Sequence, residues 1–534
     1  MKNILILSAI LILISAAAAV YAPALNTPFQ FDDVKRIVGQ AQVENLDLAD
    51  IFHYSKSRFL LYLTLALNYH FGGYGVFGFH LVNLVIHIIS SLAVFALGII
   101  VFNSPRLKNQ ALSRHSRMLA FFSSMIFALH PMQTESVTYI WQRAESMTGM
   151  FYLLAIFLYA KFRLASAARP RFMFYAACLL SIILCSFTKP NSVTLPAAIL
   201  LFEACFLSRS IKDFKGSLKY LAPILLFILL PAALAKFDVG ENKGVSVRFD
   251  SYYLPYYYTK LRVLANSLWL MFAPFNQTIE HDFSWSASLV NPISTLYSAA
   301  ALLSLALAGI LSFRRRVLIA FSVMWFYLTL SVTTILFLDD LFFEHYLYLP
   351  IFGFSLVLPA LGMEIADNFK LDKKWLAACL IILLAAYSYG TYSRNLVWKT
   401  EITLWEDAVK KAPLNARAHY TLGVYYFREH RNNEALREYE LSLKLKPEYP
   451  EAYYRLGEYY FDSGAIDKSI YNYKKALDMN PDFFEAYVNL GNAYMGSGQN
   501  KDALACFKNA LRLTVDKRYI TEINSIIDRL VKYE

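Results

Sequence analysis

Apolar runs close to the length of a membrane span recur through the first three quarters of the chain, separated by short polar loops. From residue 395 the pattern changes to Glu, Lys, Tyr and Asn at helical spacing. Runs beginning near residues 4, 79, 118, 143, 172, 191, 218, 293, 317, 346 and 375 predict eleven spanning helices, of which the one starting at Met118 is short. About 20 apolar residues cross a hydrocarbon core. Basic residues arbitrate the orientation: Arg106, Lys108, Arg114 and Arg117; Lys161, Arg163, Arg169 and Arg171; Arg209, Lys212, Lys215 and Lys219; Arg314 to Arg316; and Lys370, Lys373 and Lys374 fall in alternate loops. Loops of that kind stay in the cytoplasm. The amino terminus, with Lys2, is then cytoplasmic, and loops 23–78, 130–142, 186–190, 236–292 and 338–345 face outward, as does the chain after residue 392. The first run is either a span or a cleaved signal peptide with a small-residue stretch from Ala16 to Ala24, and both leave the later topology unchanged. Phe59 to Phe71 and Leu261 to Phe275 would break the alternation if they crossed, so they predict helices lying along the outer surface or dipping into it.

The polar region repeats. Gly423, Gly457 and Gly491 are 34 residues apart, as are Pro413, Pro447 and Pro481; Ala418, Ala452 and Ala486; and Tyr426, Tyr460 and Tyr494. Four registers at that period identify tetratricopeptide repeats, which are stacked helix pairs. Ala408, Ser442, Ala476 and Ala510 keep the same phase, so Ile402 to Ala412 predicts the second helix of a degenerate first repeat. The expected organisation is a membrane body over residues 1–394, a half repeat or linker over 395–414, and three repeats with a carboxyl-terminal helix over 415–534. The fold class is all-α: a polytopic helix bundle with an α-solenoid. Such stacks bind extended peptides in a concave groove, for which Tyr425, Tyr453, Tyr459, Tyr487 and Asn489 are candidates; core packing accounts for repeat tyrosines equally well.

Composition narrows this further. With 57% apolar and 17% charged residues, the chain is neither disordered nor a single soluble domain. The net charge of +11 resides largely in the short loops and reads as topology, without implying nucleic acid. Cys178, Cys185, Cys205 and Cys379 lie within apolar runs and only Cys506 in a polar region, which gives no disulfide framework.

Several outward-facing residues could carry chemistry. Asp32 and Asp33 follow the first span by about ten residues, at headgroup depth, where adjacent carboxylates suit a general base or a metal ligand as well as a solvated loop. His80, Asn83 and His87 share one helix face, for interhelical hydrogen bonds or for a phosphate. Arg143 stands on the outer side, against the charge rule, and either holds a phosphate or neutralises Glu135 or Glu145. Lys189 is similarly isolated there, and Asp339, Asp340, Glu344 and His345 precede the aromatic start of a span at Tyr346. An aromatic belt explains Tyr346 and Tyr348 but not Glu344 or His345.

Phe31-Asp32-Asp33, Leu67-Asn68-Tyr69, Gly78-Phe79-His80-Leu81-Val82-Asn83 with His87, Ala128-Leu129-His130-Pro131 with Glu135 and Arg143, and Tyr346-Leu347-Tyr348-Leu349-Pro350 stand in that order ahead of the repeats. This arrangement resembles the transmembrane O-mannosyltransferase family with tetratricopeptide repeats, itself similar to the GT-C glycosyltransferases, over nearly the whole chain. The resemblance implies a sugar carried on a polyprenyl phosphate, Ser/Thr acceptors, a site on the non-cytosolic face and an aspartate in the first outer loop. Two departures stand out. Lys189 is followed by Pro190 where the family usually has Lys-Glu, and Glu344-His345 replaces Glu-Arg. A histidine carries charge only near or below neutral pH, so headgroup recognition differs from that of eukaryotic members, whose donor is dolichyl-phosphate mannose.

The reading is an inverting, phosphate-leaving transferase in a cell inner membrane, with the repeats outside. Asp33 is the expected base and Asp32 its support. Arg143, Lys189 and the His80 and His87 pair are expected on the phosphate, with Asn83, Glu135, Glu344, His345 and Tyr346 completing the substrate-binding set. The spans would hold the isoprenoid tail in the lipid, and the repeat groove would select a protein acceptor. No metal or cofactor is demanded, although Asp32, Asp33, Asp339 and Asp340 could share a divalent cation. The rival readings are a repeat scaffold for an envelope complex on an inactive body, and a transporter of the same lipid-linked sugar; the halves of residues 1–394 show no self-similarity of the kind transporters often carry.

Overall fold

The computed structural model describes residues 2–108, 111–236, 253–338 and 340–532. They form helices joined by loops, with no strand among the described residues. Two units result, one of residues 1–277 and 283–400, the other of residues 278–282 with 401–534.

In the first unit ten helices are long and apolar enough to cross a membrane: Ile4–Asn26, Val76–Phe102, Ile140–Leu164, Ala168–Ser186, Pro190–Leu207, Ile211–Lys236, Ser294–Ser312, Val317–Ile335, Pro350–Asn368 and Lys373–Val397. The chain is a multipass membrane protein. The run beginning at Met118 becomes the 14-residue helix Ser116–Leu129, which rises about 21 Å against a core of about 30 Å. Eleven of its residues are buried, so it is shielded by the longer helices Val76–Phe102, Pro350–Asn368 and Lys373–Val397 packed around it. Phe59–Gly72 and Leu254–Phe272 are helices outside the set of ten.

Polar bonds tie the last span to the first part of the chain: Asn395 Nδ2 donates to Val20 O at 2.8 Å, Thr138 Oγ1 donates to Asn395 Oδ1 at 2.5 Å, and Thr391 Oγ1 donates to Leu129 O at 2.7 Å. Where water is absent, a side chain that satisfies a distant backbone carbonyl fixes which helices adjoin. The loop after the first of these helices carries the acidic pair.

The second unit stacks Glu401–Lys411, Ala416–Arg428, Asn432–Leu445, Pro450–Asp462, Ile466–Met479, Phe484–Gly496, Asn500–Leu513 and Lys517–Lys532. A Cβ at Gly423 would lie 2.7 Å from the Tyr439 ring, one at Gly457 2.5 Å from Tyr473, and one at Gly491 2.8 Å from Phe507. Each glycine is therefore the socket for a ring sixteen residues on, in the partner helix of the same repeat. Glu280, from the segment grouped with this unit, accepts from Arg417 Nη2 at 2.7 Å.

Candidate functional site

Local backbone geometry presents the acidic pair. Phe31 has φ 53° and ψ −120°, a conformation that costs a non-glycine residue roughly 1–3 kcal/mol and clusters at functional sites. It turns the chain into the short helix Asp32–Arg36, on which the two carboxyls meet different surroundings. Asp33 is buried: Trp141 N–H donates to Oδ1 at 2.7 Å and Gln30 N–H to Oδ2 at 3.2 Å. Burial pushes its carboxyl up to about 8, against the pull of those backbone N–H groups. Asp32 is half-buried, and its backbone N–H donates to the Tyr139 hydroxyl at 3.0 Å. Of the neighbours, Asp33 is buried and Asp32 half-buried.

Arg143, at the start of the Arg143–Leu164 helix, is fully buried. Nε donates to Asn83 Oδ1 at 2.6 Å, Nη1 to Thr64 Oγ1 at 3.2 Å and Nη2 to Phe79 O at 2.9 Å. Asn83 Nδ2 in turn donates to Val137 O at 3.1 Å, which fixes the amide so that its oxygen faces the guanidinium. All three acceptors are neutral, and Asp33 is near enough to act on the Arg143 charge. Neither Glu135 nor Glu145 neutralises Arg143, because each has another partner. Lys189 Nζ lies 2.5 Å from Glu145 Oε2, so the lysine expected to be isolated is paired. Glu135 receives the His345 ring Nδ1–H at 2.7 Å on Oε1 and the His345 backbone N–H at 3.1 Å on Oε2. Burial and the Lys189 charge hold the His345 ring well below the usual histidine range.

The histidines on the Val76–Phe102 helix separate in the same way. His87 Nε2–H donates to Ala128 O at 3.0 Å and Nδ1 accepts from the Tyr348 hydroxyl at 3.0 Å, which leaves the ring no donor for a phosphate. His80 has Nε2 3.0 Å from Thr27 O and 2.9 Å from Thr27 Oγ1, whose own proton goes to Ala24 O, so the Nε2–H is the donor. Its buried Nδ1 has no partner among the described residues. The Tyr348 ring occupies the notch at Gly149, where a Cβ would stand 2.5 Å from Cε1. Glu344 accepts from Gln277 Nε2 at 3.1 Å, and Tyr346 is half-buried with Lys189 Nζ 5.6 Å from its ring centre.

Asp33, Arg143, Asn83 and His80 come together, then, whereas Glu135 with His345 and Lys189 with Glu145 form closed pairs around Tyr346. Thr27, Thr64, Tyr139 and the Trp141 N–H belong to the site without having been expected. Threonines and backbone amides carry no motif that marks them in a sequence. No three His, Cys, Asp or Glu side chains among the described residues could share a metal ion, and Asp339 lies outside those residues. In the repeats Tyr425 is buried, which removes it from a groove lining, whereas Tyr453, Tyr459, Tyr487 and Asn489 are half-buried.

Models described as TPR repeat match residues 426–464 and 457–498, and one described as tetratricopeptide repeat matches 484–514. A protein O-mannosyl-transferase of Caenorhabditis elegans is 28% identical over 462 residues, which is 82% of this chain and 62% of the relative. Protein O-mannosyl-transferase TMTC1 of Homo sapiens is 24% identical over 507 residues, covering 81% of this chain and 54% of the relative, and human TMTC4 is 24% identical over 497 residues, covering 80% and 64%. A crystal structure of MamA is 33% identical over 21% of this chain and 62% of its own, with a TM-score of 0.20. The chain spans between half and two thirds of the length of these curated relatives. Its likeness to the O-mannosyltransferase family with tetratricopeptide repeats extends through both the membrane body and the repeats.

Proposed function

We propose, from this likeness as premise, that the chain is a membrane glycosyltransferase moving a sugar from a polyprenyl-phosphate carrier to a Ser or Thr hydroxyl of a protein. Arg143 carries the reading. A buried guanidinium presents five N–H groups, and three of them go to the neutral oxygens of Asn83, Thr64 and Phe79. Two remain for an anion, and a desolvated cation is best closed by one. A departing phosphate supplies that charge as it develops.

Asp32 takes the proton from the acceptor hydroxyl while its oxygen attacks the anomeric carbon. The bond from that carbon to the phosphate oxygen breaks, and its electron pair leaves with the phosphate against Arg143. This order reverses the expectation that Asp33 is the base. A base must be within reach of the hydroxyl, and Asp33 is 1% exposed with both oxygens occupied by backbone donors. Asp33 instead anchors the turn. The His80 Nδ1, as a lone-pair acceptor, suits a sugar hydroxyl better than a phosphate. The half-buried Tyr453, Tyr459, Tyr487 and Asn489 offer the repeats' contact with an extended acceptor.

Sugar transfer from a lipid-linked donor by purified wild type, Asp32→Asn and Asp33→Asn decides between enzyme and scaffold. Asp32→Asn should lower turnover by about a hundredfold or more, the usual range for a lost general base, with thermal stability unchanged. Asp33→Asn should lower stability, because an amide offers one oxygen to two backbone donors. Full activity in both variants removes the acidic loop from the chemistry and favours the scaffold. The alternation of basic loops favours a site on the non-cytosolic side; a reporter fused at Arg315 should then behave as cytoplasmic and one after Glu534 as external.

A further inference from the structure

At the opposite end of the membrane body from this site, three arginines converge on a cavity of about 510 Å³. The Val76–Phe102 helix separates the two: His80 and Asn83 lie in its first turns, and Arg106 follows its last residue. At 1.5 Å per residue the separation exceeds about 30 Å. Arg106, Arg209 and Arg314 line the cavity with Ser208, Ser210, Ile211, Phe214 and Phe313, and no carboxylate is among the lining residues.

Arg106 is held in place by neutral groups. Nη1 donates to Ala204 O at 3.1 Å and Nη2 to Phe313 O at 3.4 Å, and the guanidinium stands 5.0 Å from the Phe313 ring centre. The acids nearby are taken: Glu203 accepts two bonds from Arg163 at 2.9 Å, and Asp213 accepts from Arg163 Nη2 at 3.3 Å and from the Arg209 backbone N–H at 3.1 Å. The positive charge facing the cavity is therefore uncompensated among the described residues. Ile211, 77% exposed, and Phe214 open the helix Ile211–Leu225, while Phe313 and Arg314 immediately precede the span Val317–Ile335. The cavity thus sits where spans enter the membrane, with guanidinium groups beside apolar side chains.

We infer that this cavity binds the phosphate headgroup of an anionic membrane lipid. Its volume falls in the range of small-ligand sites, roughly 300–1,000 Å³. The lining matches both parts of a lipid: guanidinium and serine hydroxyl for the phosphate, Ile211, Phe214 and Phe313 for the upper acyl chain. A soluble phosphate would have no use for the apolar half.

The test uses the full chain in nanodiscs of phosphatidylcholine with phosphatidylglycerol. The ratio of the two lipids that co-migrate with the protein is read by mass spectrometry for wild type, for Arg209→Ala with Arg314→Ala, and for a charge-matched control, Arg169→Ala with Lys370→Ala. The four residues are exposed, each in a different basic segment of the membrane body, so loss of fold is not expected, and sugar transfer serves as the check. Wild type and control should retain an excess of phosphatidylglycerol. The Arg209 and Arg314 pair should lose about fivefold per arginine, the usual weight of one basic residue at a lipid surface. Equal loss in the control reduces the effect to general surface charge and overturns the site. So does equal retention in all three. Thermal stabilisation by inorganic phosphate alone, matching that by phosphatidylglycerol and lost in the double variant, would assign the cavity to a soluble phosphate instead.

Discussion

One helix, Arg143–Leu164, carries an arginine at each end, Arg143 fully buried and Arg163 half-buried, and the two are treated in opposite ways. Arg163 makes a two-pronged pair with Glu203, both bonds at 2.9 Å, and Tyr159 and Ser208 complete the carboxylate at 3.0 and 2.5 Å. Arg143 meets an amide oxygen, a hydroxyl and a backbone carbonyl. The first arrangement is electrically finished and reads as architecture. The second holds the guanidinium in one orientation by neutral partners alone, which under the proposed function leaves its charge for an arriving phosphate.

The largest effect should come from breaking the finished end. Arg163→Ala strands the Glu203 carboxylate without its cation, and removal of one partner of a buried pair costs about 3–5 kcal/mol. Thermal unfolding in detergent should show that loss, while the KM for lipid-linked donor in the folded fraction should not move. A changed donor KM would erase the distinction between the two ends. Arg143→Ala should also act on the donor: beyond any loss of stability from its three bonds, donor KM should rise roughly tenfold to a hundredfold, the weight of a hydrogen bond to a charged group at about 1.5–3 kcal/mol. Loss of stability without loss of donor affinity would make Arg143 a brace after all.

Gly457→Ala acts on the other unit, driving a methyl to 2.5 Å from the Tyr473 ring. Overpacking of that kind costs about 1–3 kcal/mol. Transfer to a protein acceptor should fall more than transfer to a small one, and equal loss of both would end the assignment of acceptor selection to the repeats. The effect of pH is gradual, small across any one unit and accumulating from 3.8 to about 8. The Asp33 carboxyl is raised from 3.8 to about 8 in the fold, so the folded state holds a proton that the unfolded chain releases. Its contribution is greatest below 3.8 and declines as pH rises through about 8, by at most about 1.4 kcal/mol per pH unit. Above that point Asp33 also offers Arg143 a competing anion, and donor affinity should weaken with it. Asp33→Asn should flatten both profiles.

The spans and the repeats were legible because their signals are local: runs near 20 residues and a 34-residue period need no knowledge of distant partners. The short Ser116–Leu129 helix was flagged by its length alone. The candidate residues could be named one by one from the sequence, but not their pairing. Arg143 and Asn83 are 60 residues apart, His345 and Glu135 210, and His87 and Tyr348 261, so nothing in the sequence says that Glu135 takes His345 and leaves Arg143. The split between Asp32 and Asp33 depends on which side chain turns inward after Phe31, a matter of one backbone torsion. His87 shows the cost of reading a helix face as a unit, since it shares a face with His80 but its nitrogens answer to other helices.

The sockets at Gly423, Gly457 and Gly491 have a consequence for how such a chain can change over generations. Each ring is received by a glycine of its own repeat, at the same offset of sixteen residues. Duplication of any 34-residue unit carries plug and socket together and lengthens the array in register, whereas an insertion of any other length inside a repeat separates the ring from its notch. Growth or shortening by whole repeats therefore leaves every other joint as it was, so the reach of the array can vary while the membrane body stays under its own selection.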